Sequence, residues 1–160
     1  MLKIKPFLWF DHQVEEAIIF YVSIFKHAKV LRVVRYGDAG PGPKGEVMLA
    51  SFELAGLEFT ALNGRPSQSP DEVSSFVVAC ERQEEIDELW DRLPEGGGST
   101  GQRGWLKDRF GVSWQIVPIT LGPMLADTDA VRSSRVMRAF LDMEKLDIDV
   151  LRDAYESESV

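Results

Sequence analysis

Hydrophobic and polar positions change period several times along the chain, and each change marks an element. The aromatic-rich run "IKPFLWF" reads as a strand. In "DHQVEEAIIFYVSIFKH" the apolar positions Val14, Ala17, Ile18, Tyr21 and Phe25 recur at helical spacing, with Asp11 as N-cap and Glu15 and Glu16 in the first turn. "KVLRVVRY" reads as a strand, "GDAGPGPKG" as a loop, and "EVMLASFEL" and "LEFTALNG" as two strands joined by the tight turn "AG". The polar stretch "RPSQSPDE", with its two prolines, reads as a linker.

Beyond the linker the pattern restarts. "SSFVVAC" is a strand, and "ERQEEIDELWDRL" a helix with Ile86, Leu89, Trp90 and Leu93 on one face. "PEGGGSTGQ" is a loop, "RGWLKD" a strand, "RFG" a turn and "VSWQIVP" a strand. A connector leads to a helix in "SSRVMRAFLDME", capped by Ser133 or Ser134, and a last helix, "DVLRDAYE", follows Asp147. The two halves superpose. Phe7–Phe10 falls on Phe76–Ala79, Glu15-Glu16 on Glu84-Glu85 and Phe20-Tyr21 on Leu89-Trp90, at an offset of 69 residues (Phe7 to Phe76). Gly56–Thr60 falls on Gly111–Gln115 at an offset of 55 (Gly56 to Gly111). Each half reads strand–helix–strand–strand–strand, and self-similarity of this kind is a statement about fold. The expected class is α+β: two βαβββ repeats, residues 1–64 and 74–120, forming a curved, mostly antiparallel sheet with helices on one face, followed by a helical extension over 121–160.

The composition narrows the partners. The 160 residues carry a net charge of −8, which disfavours nucleic acid and anionic membrane surfaces. No apolar run approaches the ~20 residues that span a bilayer. Cys80 is the single cysteine, so no intrachain disulfide forms, and a reducing cytoplasm is the expected location.

Strand alternation then sorts candidate residues. It groups Leu8, Phe10, Glu58, Thr60, Leu62, Val77, Ala79, Ser113, Gln115 and Val117 toward the concave face, and it sends Trp9, Trp90 and Trp114 to the core. Trp105 is the aromatic expected in the cleft, and Arg103, on the same expected strand, could meet an anionic ligand. Glu58, the one carboxylate of the group, sits beside a turn and reads as solvated. Gly40, Gly42 and Gly45 spell G-x-G-x-x-G, but a strand rather than a helix follows, and Pro41 and Pro43 remove backbone donors, so the stretch reads as a turn. His12 and His27 lie too far apart for a metal pair. Cys80 reads as a buried thiol beside Glu81, and Asp108-Arg109 as a solvated turn with a local ion pair.

The repeat, with "FLWFD", "EEAIIFY", "RYGDAGPGPKGEVMLASFELAG", "FTALNG" and "WLKDRFGVSWQIVP", resembles the PhnB-like branch of the vicinal oxygen chelate superfamily, often labelled 3-demethylubiquinone-9 3-methyltransferase-like. The tail "VMRAFLDMEKLDIDVLRDAY" is similar to that branch's tail. The resemblance implies the glyoxalase/bleomycin-resistance fold and a homodimer, with Val136, Met137, Phe140, Leu141 and Leu146 packing across it. Metal-using members place four ligands on the first and last strands of the repeats. By the repeat alignment these positions are Pro6, Thr60, Ser75 and Gln115, with Phe7 and Phe76 as one-residue slips. Only Gln115 suits a divalent ion, so no metal and no cofactor are expected. The implied function is small-molecule binding in a metal-free cleft, with Thr60 and Gln115 as polar anchors among Leu62, Phe10, Trp105 and Arg103. The alternatives are a glyoxalase- or dioxygenase-type enzyme with a base or metal set outside that pattern, and a methyltransferase, as the family label suggests.

Overall fold

A computed structural model describes residues 5–37, 43–63 and 75–157. The chain divides into two compact units, Met1–Glu72 and Val73–Val160. The first contains β1 (Phe7–Phe10), α1 (Val14–Ile24), β2 (Lys29–Arg35), β3 (Val47–Leu54) and β4 (Leu57–Asn63). Its sheet runs β1-β4-β3-β2, with β1 and β4 parallel and the other pairs antiparallel. The second contains β5 (Ser75–Cys80), α2 (Gln83–Arg92), β6 (Ser99–Thr100), β7 (Trp105–Lys107) and β8 (Ser113–Pro118). Its sheet runs β5-β8-β7-β6 with the same pattern of parallel and antiparallel pairs. The two repeats are therefore real, and the class is α+β with mostly antiparallel pairing.

In each unit one face of the sheet is covered by a helix. Val14, Ala17, Ile18, Tyr21 and Ile24 of α1 are buried, as are Leu8, Phe10, Ala50, Phe52, Phe59 and Ala61 of the first sheet. The rings of Tyr21, Phe52 and Phe59 stack in series, 6.3 and 5.4 Å between centroids. In the second unit Ile86 and Leu89 of α2, with Leu93, share the core with Cys80, Leu106, Trp114 and Ile116.

The start of α1 is held differently from the expectation. Asp11 is not its N-cap; Gln13 holds that position without a side-chain bond. The buried Asn63 at the end of β4 instead accepts from the Val14 N–H (3.1 Å) and donates to the Val47 carbonyl (2.7 Å), tying helix to sheet. His27, just past the helix, adopts a φ of 53°, in keeping with a role in ending it.

The extension folds as three helices within the second unit: α3 (Leu121–Leu125), α4 (Ala130–Leu141) and α5 (Ile148–Glu156). The cap of α4 is Asp129, which accepts from Val131 and Arg132 N–H, so the helix starts earlier than Ser133. Asp147 caps α5. Leu121, Val136, Leu146 and Leu151 form a small core of their own, so Val136 and Leu146 are buried within the chain; Met137 and Leu141 remain exposed. Among the described residues no helix is long and apolar enough to cross a membrane.

Candidate functional site

Register partners share a face, so the ladder fixes what each sheet presents on the side away from its helix. In the first sheet Phe7 lies opposite Thr60 and Trp9 opposite Leu62, while Ser51 and Leu49 oppose the same two residues from β3. This open face thus carries Phe7, Trp9, Thr60 and Leu62, together with Glu58, which pairs with Lys5. Phe7 is 45% exposed and Trp9 40% exposed, with their rings 5.3 Å apart.

Two expectations are corrected here. Phe10 (3% exposed) and Leu8 lie on the α1 face, opposite in sense to Thr60 and Leu62, so Phe10 does not belong with the candidate ligand contacts. Trp9 is not a core residue. The reason is one residue of connector. Phe10 opposes Asn63 and Cys80 opposes Pro118, and Asn63 and Pro118 keep the offset of 55; the first strands therefore match at 70 (Phe10 to Cys80), not 69. The chain uses one residue more between Phe10 and Val14 than between Cys80 and Gln83. The residues facing Thr60 and Gln115 are consequently Phe7 and Val77, rather than Pro6 and Ser75.

In the second sheet the open face carries Ser75, Val77 and Ala79 from β5, Ser113, Gln115 and Val117 from β8, and Trp105 and Lys107 from β7. Trp105 stands opposite Gln115 and is 37% exposed. A shallow pocket of about 290 Å³ opens beside it, lined by Ser99, Thr100, Trp105, Lys107 and Ser113. Trp114 points into the core, as its parity implied.

Gln115 is oriented by backbone. Its Nε2 donates to the Arg103 carbonyl at 3.0 Å. A carbonyl only accepts, so the amide nitrogen must face it, and Oε1 is the atom left for a ligand. Arg103 is not on a strand. It sits with φ 58° in the turn before β7, its side chain exposed and its backbone engaged. Its N–H donates to Met143 O (2.7 Å) and the Gly104 N–H to Glu144 O (2.8 Å). Gly104 has φ 81°, and a Cβ there would lie 2.8 Å from Ile116 O, so only glycine suits this approach. The extension thereby holds the turn that aims Gln115, a dependence invisible in the local sequence.

Asp108 corrects the reading of a solvated turn. It is 2% exposed, accepts from Phe110 N (2.9 Å) and Val112 N (3.1 Å), and accepts from Trp114 Nε1 at 2.9 Å. A buried indole N–H needs a partner, and the Asp108 carboxylate supplies it to Trp114. Burial pushes the Cys80 thiol up to about 11, with the Glu85 carboxylate adding to it; Glu85, which closes the α2 N-terminus on Glu81 and Arg82 N–H, takes the part expected of Glu81.

Among the described residues no group of three or more His, Cys, Asp or Glu could hold a metal ion. Unit by unit, the facing positions offer one hydroxyl beside a hydrocarbon (Thr60 and Phe7) and one amide beside a hydrocarbon (Gln115 and Val77), and neither pair supplies the donors a divalent cation needs. The first residues of the G-x-G-x-x-G string lie outside the described residues; Gly45, with φ 93°, leads into β3, not into a helix.

The doubled βαβββ topology has close counterparts. A PhnB protein from Bacillus cereus is 34% identical, with 72% of this chain and 99% of that one covered and a TM-score of 0.60. A Pseudomonas aeruginosa protein is 25% identical over 74% of this chain and 98% of its own, also at 0.60. The fosfomycin resistance protein FosX from Listeria monocytogenes shares the fold at 18% identity, with 79% and 98% covered and a TM-score of 0.56. No curated protein matches the chain. The sequence family described as 3-demethylubiquinone-9 3-methyltransferase matches residues 2–117, the span of both repeats, with the helical extension beyond it. With that match joined to the repeat topology and the 34% identical PhnB protein, the chain belongs to this PhnB-like family.

Proposed function

We propose that this PhnB-like protein binds a small apolar or aromatic molecule against the open faces of its sheets, without a metal ion. The observation that carries the reading is the exposure of Phe7, Trp9, Val77 and Trp105 on the faces the helices leave uncovered, at positions where a folded chain gains nothing by holding large apolar groups in water. Thr60 and Gln115, at matched places in the two repeats, supply polar anchors. Leu62 adds apolar surface on the first face, and Arg103 contributes through its backbone rather than its side chain. A homodimer in the cytoplasm completes the reading.

The test is a chemical-shift titration of the purified protein with neutral aromatics such as indole and 4-hydroxybenzyl alcohol. Binding that moves the amides of β1, β4, β7 and β8, and that weakens at least fivefold in Gln115→Leu or Trp105→Ala, supports the reading. Absence of any shift on these strands defeats it. One equivalent of Zn, Mn, Ni or Fe retained by the purified protein would overturn the metal-free part, and micromolar binding of S-adenosylmethionine would favour the methyltransferase label. Light scattering on a sizing column decides the dimer.

A further inference from the structure

The second sheet's open face carries a polar row that apolar binding does not use. Ser99 opposes Lys107, Lys107 opposes Ser113, and Ser113 opposes Ser75, so one ammonium stands in a line of three hydroxyls across the sheet. Neighbouring strands are about 4.8 Å apart, which puts Ser99 and Ser113 on either side of Lys107 within reach of one small anion. Ser99, Lys107 and Ser113 also line the pocket of about 290 Å³. Among the described residues Lys107 has no ion pair and these three serine hydroxyls have no hydrogen-bond partner, whereas Lys5, Arg35 and Lys145 are each engaged by a carboxylate. The strand residues of this face include no Asp or Glu, in contrast to the first sheet, whose open face holds Glu53 and Glu58.

Two further groups stand opposite each other in the neighbouring row. Trp105 offers its ring beside Lys107, and Gln115, two residues beyond Ser113 on β8 and so roughly 6.6 Å along the strand, offers Oε1 as an acceptor because its amide nitrogen is held by Arg103. An acceptor at one end and a cation among hydroxyl donors at the other select opposite chemistry in the ligand.

Resting on the reading of the open faces as a binding surface, we propose that the ligand is an organic anion with a separate hydrogen-bond donor: its carboxylate or phosphate-type group sits on Lys107, Ser99 and Ser113, its apolar or aromatic body lies on Trp105, and its hydroxyl or amino group donates to Gln115 Oε1. The charged contact supplies discrimination, since a charge-assisted hydrogen bond is roughly twice as strong as a neutral one.

Three probes separate the claims: 4-hydroxybenzoate, its neutral analogue 4-hydroxybenzyl alcohol, and 4-methoxybenzoate, which lacks the donor. In a chemical-shift titration 4-hydroxybenzoate should move the amides of Ser99, Trp105, Lys107, Ser113 and Gln115. It should bind about tenfold more tightly than either other probe. Lys107→Met should weaken it about tenfold and leave the neutral alcohol unchanged, while Lys107→Arg retains binding; thermal melts confirm that both variants fold. Equal binding of the acid and the alcohol at these amides, or indifference to Lys107→Met, overturns the anion site and leaves the aromatic binding surface standing. A result in which no aromatic, charged or neutral, reaches either open face removes the binding surface and this proposal together.

Discussion

The two repeats share a strand order but reach it by different means. The first has long strands in its β2–β3 hairpin, of 7 and 8 residues, and closes its core with one amide, Asn63, that links α1, β3 and β4. The second has a β6 of 2 residues and a β7 of 3, and Pro118 stands where Asn63 stands in the first. It compensates with a carboxylate, Asp108, buried beneath its last turn, and with the C-terminal extension. Met143 and Glu144 accept from the turn at Arg103 and Gly104, Leu146 packs on Gly104, and Gln83 in α2 donates to Leu146 O and accepts from Ile148 N. Topology can thus be duplicated while the buried polar contacts that secure it are reinvented, because a short sheet buries too little apolar surface to stand without added elements.

The largest effect is expected at Asp108. Asp108→Ala leaves the Trp114 indole and two backbone N–H groups without their acceptor, at a cost of about 3–4 kcal/mol. Amide hydrogen exchange should show lost protection in β7 and β8 with β3 and β4 unchanged; equal loss in both units would mean that the repeats fold as one cooperative body. Next comes Leu146→Ala, which opens a cavity in the extension's core at about 3 kcal/mol and loosens the turn at Arg103. Denaturant midpoints should fall, and the Gln115 side-chain amide resonances should broaden as their acceptor becomes mobile. An unchanged Gln115 signal would separate the extension from the site.

Asn63→Ala is the counterpart in the first unit, costing about 2 kcal/mol through the orphaned Val14 N–H and Val47 carbonyl. Its effect should fall on the protection of α1 and the start of β3; loss that spreads to α2 would erase the distinction between the repeats. The smallest effect concerns Cys80, which occupies the place of Phe10. Its thiol is pushed up to about 11 by burial, so the neutral form is favoured in the folded state. That stabilisation is complete below the ordinary thiol value near 9, and is lost as pH rises from there through about 11. Iodoacetamide should therefore leave Cys80 unmodified at pH 8, and Cys80→Ala should flatten the alkaline fall in stability between those values. Rapid labelling at pH 8 would show that β5 opens readily.

Much of the architecture was legible in the chain. Helical spacing in Val14, Ala17, Ile18 and Tyr21, alternation in the strands, and the turn glycines Gly56 and Gly111 sufficed for the repeats, because these are local regularities that packing only reinforces. The candidate site was legible in part. Alternation correctly grouped Thr60 with Leu62, and Ser113 with Gln115 and Val117, but it misassigned Phe10 and Trp9, since a period of two tells which residues share a face and not which face a helix covers. The α4 boundary also shifted, because Asp129 offered a better cap than Ser133.

The sequence by itself determined the doubled βαβββ plan, the net charge of −8 and the family, all of which follow from periodicity, composition and motif. Tertiary structure alone decided that Asp108 is a buried clamp, that Lys107 lies between two serine hydroxyls, and that the Gln115 amide nitrogen is committed to Arg103 while its oxygen is not. Those facts depend on register and on contacts that run from Asp108 with Trp114, 6 positions apart, to Arg103 with Met143, 40 positions apart (103 to 143), and the period of a strand or helix encodes none of these pairings.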